Sequence, residues 1–259
     1  MTLPLLTQEA IDSLIFIFLR VSAMIVVMPI FGGDRSIPVV IKGGIAIFIT
    51  FMLFPFVKIN QEYQSLGFIS MFVGMISEIL VGIVIGLVAR FIFAGIQFAG
   101  ELIGFQMGFS VVNAIDPMTS TQVSLISQFQ YFMAILIFLI LNVHHVFLSA
   151  IAESFDKIAP LQFHMSGKLI QTICIYSKDI FVIAVKISAP VLAVLIFTNT
   201  ALGIVARTVP QINIFIMGFP LQIALGLIFI GLTAPVFVNY SASLFKNISN
   251  QVHMLIMLM

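Results

Sequence analysis

The side chains best placed to do chemistry lie in one stretch, Glu101-Leu-Ile-Gly-Phe-Gln-Met-Gly-Phe-Ser110, followed by Asn113 and Asp116-Pro117. It joins a carboxylate (Glu101), read as buried, an amide (Gln106) and a row of close-packing glycines at Gly100, Gly104 and Gly108. It then breaks into polar residues that end in a helix-start signal, with Thr119 and Gln122 in the order of a capping box. The chemistry this suits is gating, not bond making. Irregular polar backbone between long apolar helices is tolerated at membrane depth only inside protein or beside a water-filled cavity. There the soft side chains of Met107, Phe109 and Met118 make a seal that yields at low cost. The residue types alone also suit an ordinary connecting loop.

Marks of catalysis are lacking. His144, His145 and Glu153 form the only local cluster resembling a metal site, but HExxH is absent and His164 and His253 lie far along the chain. No GxSxG, GxxxxGK[ST] or GxGxxG occurs, so the sequence signs of a serine hydrolase, an NTPase and a dinucleotide enzyme are missing. No catalysis, metal or cofactor is expected, and any energy comes from a partner or an ion gradient. The lone Cys174 reads as a small buried residue.

Charge placement is more informative. Arg20, Glu78, Arg90, Glu101, Lys178, Asp179 and Lys186 sit within apolar regions, where each costs at least ~2.5 kcal/mol at a bilayer centre unless paired or hydrated. Some therefore need protein partners. Gly82 and Gly86 repeat at i, i+4, and Gly100, Gly104 and Gly108 make two further such steps, a spacing that lets helix backbones approach closely. The 27 Phe against 4 Tyr and no Trp favour protein packing over interfacial anchoring.

The elements that carry these residues follow from composition. Of 259 residues, 61% are hydrophobic and 8% charged, against roughly 25% charged in a soluble domain. Pro117–Ala152, Ile187–Ala206 and Thr208–Phe245 carry no Asp, Glu, Lys or Arg, and ~20 apolar residues span a bilayer. The chain is read as polytopic and all-α, with six hydrophobic regions. They are Ser13–Phe31, a short run Gly43–Val57, Phe68–Ile115, Pro117–Ala152, Leu169–Ala206 and Gln211–Leu244. As one helix the third would be about 72 Å long, so it either turns back or leaves the membrane. Glu153–Lys168 reads as the largest polar loop. Pro190, Pro220 and Pro235 predict that the last two regions are kinked hairpins. The first region, lacking a basic n-region and interrupted by Arg20, is expected to stay in the mature protein. The net charge of +1 leaves no footprint for nucleic acid.

The same residues carry a resemblance. The stretch from Glu101 to Ser110 with Asp116-Pro117, then Leu141-Asn142-Val143-His144 and Ala189-Pro190, are similar to the FliR family of flagellar export-gate proteins, related to the SctT proteins of virulence type III secretion. Most specific is Arg207-Thr-Val-Pro210-Gln211-Ile-Asn213-Ile-Phe-Ile-Met-Gly218-Phe-Pro220, which resembles the family's R-x-x-P-Q-x-N-x-F-x-x-G-F-P pattern. Its Gly-Phe-Pro ending favours the flagellar branch. Val143 stands where the family often has glycine, which touches only the local turn geometry.

The resemblance, which covers essentially the whole chain, implies a single export-gate domain. Its FliP-like part matches residues 1–167 and its FliQ-like kinked hairpin residues 168–259, with the plug loop at about Gln106 to Gln122. It implies one such subunit assembling with several FliP-like and FliQ-like subunits into a closed helical shell around a narrow pore. FlhB-like and FlhA-like export components, basal-body ring or rod proteins, membrane lipids and unfolded protein substrates complete the expected partners, in the inner membrane at the flagellar basal body. Much of such a gate stands above the membrane plane. The competing readings are a small-molecule secondary transporter, suggested by Pro190, Pro220 and membrane-depth charges, and the equivalent SctT subunit of a virulence system.

Overall fold

Proline punctuates the first part of the chain. The computed structural model describes residues 8–32, 38–57, 68–109, 124–159, 162–208 and 214–259. Helix α1 (Gln8–Val27) stops at Met28, whose helical conformation the following Pro29 disfavours. Pro29 opens the single turn α2 (Pro29–Gly32), at a first-turn position whose N–H has no helical acceptor to lose. Pro38 likewise precedes α3 (Val39–Leu53), the short helix expected near Gly43–Val57.

Helix α4 (Phe68–Gln106) has 39 residues and no proline, about 58 Å of rod. The long third region therefore does not turn back within the described residues. The fourth region, read as one run to Ala152, is instead two helices, α5 (Leu125–Ile140) and α6 (Val143–Lys157), bent by 65°. The hinge is Asn142 at φ 53°, a left-handed conformation that asparagine tolerates better than most residues. Because Asn142 takes that conformation, Val143 needs no glycine's freedom. Helix α6 also runs to Lys157, so the first part of the expected polar loop is helical.

The last two regions are single helices, α7 (Gly167–Thr208) and α8 (Ile214–Leu258), 42 and 45 residues long, with Pro190, Pro220 and Pro235 inside them. At about 63 and 68 Å each is twice the ~30 Å of a hydrocarbon core. Neither is a hairpin by itself; together they form one. Ser166 caps α7, its Oγ accepting from Leu169 N–H at 3.1 Å and donating to the Leu258 carbonyl at 2.9 Å. Further along, Tyr176 meets Met254, Lys186 meets Tyr240 and Asn199 meets Gln222, an order that makes the pair antiparallel.

All elements among the described residues are helical. Four helices, α1, α4, α7 and α8, are long and apolar enough to cross a membrane, or five spans with the bent α5–α6 pair as one. The chain is a membrane protein. It forms two compact units, unit one from Met1–Phe91, Asn142–Ser177 and Lys246–Met259, and unit two from Ile92–Leu141 and Lys178–Phe245. The divisions cut α4, α7 and α8 and coincide with the break at Asn142.

Within unit one, Gly82 and Gly86 let α4 lie against α1. A Cβ on Gly82 would meet the Arg20 carbonyl oxygen and stand 2.9 Å from the Ala23 Cβ; one on Gly86 would stand 3.0 Å from the Val27 Cβ. That closeness places Arg20 beside Glu78, both fully buried. Arg20 Nε donates to Glu78 Oε2 at 2.6 Å and a terminal nitrogen to Oε1 at 2.9 Å, while its other nitrogen donates to Ser154 Oγ at 2.8 Å. The Ile158 carbonyl accepts at 3.1 Å, and the guanidinium carbon lies 3.8 Å from the Phe155 ring centre. A planar fork is what such two-point carboxylate pairing needs. Two of the charges flagged by sequence are thus each other's partners.

Within unit two, phenylalanine is the packing residue. Phe93 stands 5.7 Å from Tyr131, 5.8 Å from Phe138 and 5.5 Å from Phe245, ring centre to ring centre, within the range of favourable aromatic pairing. Other phenylalanines, among them Phe48, Phe105 and Phe197, are exposed.

Candidate functional site

The site begins where α4 meets the start of α5 in unit two. A Cβ on Gly100 would meet Ser127, standing 2.7 Å from its backbone nitrogen, and one on Gly104 would stand 2.9 Å from the Ser124 Cβ. With hydrogen at Gly100 the helices touch backbone to backbone, at Gly104 the Ser124 side chain fills the space, and Ser127 Oγ donates to the Gln97 carbonyl at 2.9 Å. The spacing reading of these glycines is a packing row inside the chain.

Helix α4 then ends by a glycine. Met107 N–H donates to the Ile103 carbonyl at 2.9 Å and Gly108 N–H to the Phe105 carbonyl at 3.1 Å, and Gly108 takes φ 88°, a conformation costly for any residue with a Cβ. A Cβ there would also stand 2.7 Å from the Phe219 ring. The end of the Glu101–Ser110 stretch is therefore seated on Phe219 of the Gly218-Phe219-Pro220 motif, more than a hundred residues further along the sequence. Beside this meeting point Gln222 Nε2 donates to Asn199 Oδ1, linking α8 to α7.

Met107 is wholly buried, in a core cluster with Ile103, Ile126, Val191 and Leu195, against which Phe109, Ile223, Phe229 and Ile230 pack. Its thioether lies over Gly226, where a Cβ would stand 2.7 Å from its sulfur. Phe109 is partly buried and Gln106 half-buried. Glu101 is exposed, which corrects its reading as a buried carboxylate: its helix position turns it away from the Ile103 and Met107 side. Ser110, Asn113, Asp116 and Met118, with the capping-box pair Thr119 and Gln122, lie outside the described residues, as do Pro210, Gln211 and Asn213. Of the remaining motif residues, Gly218 is buried, while Arg207, Pro190, Pro220 and Pro235 are exposed.

Other sequence candidates separate. His144 and His145 stack at 4.3 Å, while Glu153 pairs with His253 Nδ1 at 3.0 Å. Among the described residues no three His, Cys, Asp or Glu side chains come together as a metal site. Cys174 is exposed, not buried. Arg90, Lys178 and Lys186 are exposed, and Lys186 lies 5.6 Å from the Tyr240 ring centre. Sequence reasoning missed Gly95, Gly226 and the Asn199–Gln222 pair. The available signal for the pair was two carboxamides inside uncharged, apolar runs, where interhelical hydrogen bonding is their usual role.

The sequence profile described as bacterial export proteins, family 1, matches residues 11–248. The chain is 41% identical over 229 residues to the flagellar biosynthetic protein FliR of Bacillus subtilis (strain 168), covering 85% of each chain. It is 30% identical over 232 residues to the protein of that name from Escherichia coli (strain K12), covering 90% of this chain and 88% of the other. Against that of Aquifex aeolicus (strain VF5) identity is 29% over 229 residues, covering 88% of both.

Proposed function

The chain belongs to the bacterial export proteins, family 1, as a FliR-type protein of the flagellar export system, and from that premise we propose that it is a subunit of the type III export gate. It forms part of the channel through which unfolded flagellar proteins leave the cytoplasm, in the inner membrane at the flagellar basal body. FliP-like and FliQ-like subunits complete the shell, and the role is non-catalytic. In this reading residues 1–167 are the FliP-like part and 168–259 the FliQ-like hairpin, a boundary that falls at the first turn of α7.

The observation that carries the gate reading is how the plug segment is hung. Residues on its two sides belong to one packed frame: Gly108 is seated on Phe219, and Ser124 lies against Gly104, one turn before Gly108. The described residues on either side of the expected plug are thus held inside unit two, which supports a seal at that place. Met107 holds the frame from inside, so sealing falls to Phe109 and to Met118 and its neighbours.

The test is twofold. The full chain, produced alone and with candidate FliP-like and FliQ-like partners, is extracted gently and its complexes are weighed. One copy in a large hetero-oligomer is expected; a stable monomer or homodimer indifferent to those partners, with saturable small-molecule binding, would establish the transporter instead. In the assembled complex Phe109→Ala with Met118→Ala is expected to raise small-ion leak, and unchanged conductance would remove the plug assignment.

A further inference from the structure

The last turns of α8 carry His253, Met254 and Met257, all three exposed. Residues three and four apart on a helix are neighbours, with Cβ atoms about 5–6 Å from each other. Met257 therefore stands one turn beyond both His253 and Met254, and two thioethers and an imidazole share one face of unit one.

The imidazole is oriented as a metal ligand would be. Its Nδ1–H donates to Glu153 Oε1 of α6 at 3.0 Å, which fixes the ring and leaves the Nε2 lone pair of the neutral form outside that bond. A histidine whose other nitrogen donates to a carboxylate is the pairing that sets the tautomer of metal-bound imidazoles and raises their basicity. Met254 is placed as well: Tyr176 Oη donates weakly to its sulfur at 3.8 Å, and a thioether sulfur has a second lone pair.

The donor set chooses the metal. Thioethers are neutral and soft, and they favour Cu(I) over the harder divalent ions. Glu153 brings one negative charge next to the ring, the balance for a monovalent cation. Sequence alone separates these groups, because Glu153 and His253 lie a hundred positions apart and methionine is read first as a packing residue.

We infer that His253 Nε2, Met257 Sδ and Met254 Sδ bind one Cu(I) ion on the exposed end of α8, with Glu153 as the group that positions the imidazole. The site belongs to unit one and uses none of the contacts on which the gate reading rests, so each is tested without the other.

Cys174 is an exposed thiol in the same unit and would itself take a soft metal as the thiolate, so every sample carries Cys174→Ser. The full chain, with isotope-labelled methionine methyl groups, is held in detergent and chloride-free buffer. Ag(I), the redox-stable stand-in for Cu(I), is added while the methyl resonances are followed. Met254→Leu and Met257→Leu, which keep side-chain volume, assign the two signals. Both are expected to move with the first equivalent of Ag(I), ahead of the other methionines. Cu(I) affinity, measured by competition with a chromophoric chelator, should fall about tenfold or more in Glu153→Gln, the usual cost of losing such an orienting partner. It should be lost when His253→Gln is combined with Met257→Leu. Earlier movement of other methionine signals would overturn the inference, as would an affinity unchanged in the double variant or tighter binding of Zn(II) than of Ag(I) at these residues. The substituted side chains are exposed or half-exposed, and substitutions at such positions leave a fold in place.

Discussion

Arg20 in unit one and Lys186 in unit two are both cations set in apolar helices, and the chain treats them oppositely. Arg20 is fully enclosed, with a carboxylate, a hydroxyl, a carbonyl and an aromatic face around it. Lys186 is left at the surface with an aromatic ring 5.6 Å away. The contrast extends to the helices. Around Arg20 on α1, Ile17, Val21, Met24 and Ile25 are buried with it, whereas the most apolar stretch of α8 has almost no fully buried residue. Unit one neutralises its buried cation with its own carboxylate. Unit two leaves Lys186 at the surface, and both units carry exposed large apolar side chains for something else to cover, such as Val39, Phe48 and Phe72 in unit one and Phe105, Phe197 and Leu232 in unit two.

The sharpest way to break the contrast is to remove half of the buried pair. Glu78→Ala leaves an uncompensated guanidinium inside unit one, and Arg20→Ala a carboxylate; either should cost about 3–5 kcal/mol, read as a fall in denaturation midpoint of the detergent-solubilised chain. Arg20→Met combined with Glu78→Leu should recover most of that loss, because well-packed apolar residues of similar volume often replace a buried pair without penalty. Equal destabilisation by the double variant would mean the pair does more than satisfy itself. Lys186→Gln, by comparison, should leave the midpoint within about 0.5 kcal/mol.

Glycines sharpen the same comparison at intermediate size. Alanine at Gly82 or Gly100 would meet neighbouring backbone, the Arg20 carbonyl or the Ser127 main chain, which cannot give way as a flexible side chain can. Overpacking of that kind should cost about 1–3 kcal/mol. Gly203 has nothing within 4 Å of the site of its Cβ, and Gly203→Ala should stabilise the isolated chain by about 0.8–1 kcal/mol through helix propensity. Thermal midpoints of the three variants side by side check the sign. Gly203→Ala stabilising the lone chain but weakening its complex would place that face against a partner.

Much of this arrangement is legible in the sequence, and the rest is hidden for physical reasons. Long apolar runs mark α4, α7 and α8 because a helix is the economical way to satisfy backbone polar groups in lipid, and the i, i+4 glycines mark the backbone contacts of α4 because close approach needs that spacing. The break at Asn142 is marked in the sequence only by three polar residues, Asn142, His144 and His145, which lower hydropathy without saying that one of them turns left-handed. Hydropathy also states that Arg20 and Glu78 must be compensated but not that they compensate each other across 58 positions. At the site, the meeting of Gly108 with Phe219 joins two motifs that sequence can only mark one at a time. Met107 shows the opposite difficulty, since an adaptable thioether suits a seal and a core equally well and only the fold decides between them.

Glu101 gives the smallest expected effect on the chain and the most direct reading of what completes unit two. It sits on α4 two residues before the buried Ile103 and one after Gly100, yet it is exposed, so nothing in unit two depends on its charge. Glu101→Gln preserves shape and should change the midpoint of the isolated chain by no more than about 0.5 kcal/mol. If the exposed face of α4 docks a cationic group of a FliP-like or FliQ-like subunit, the same substitution should lower the yield of intact complex, and a charge-reversed partner residue should restore it in Glu101→Lys. Full assembly with Glu101→Gln would leave this carboxylate facing water or the pore. A loss of chain stability matching that of Glu78→Ala would instead mean that Glu101, like Glu78, has a partner within the chain.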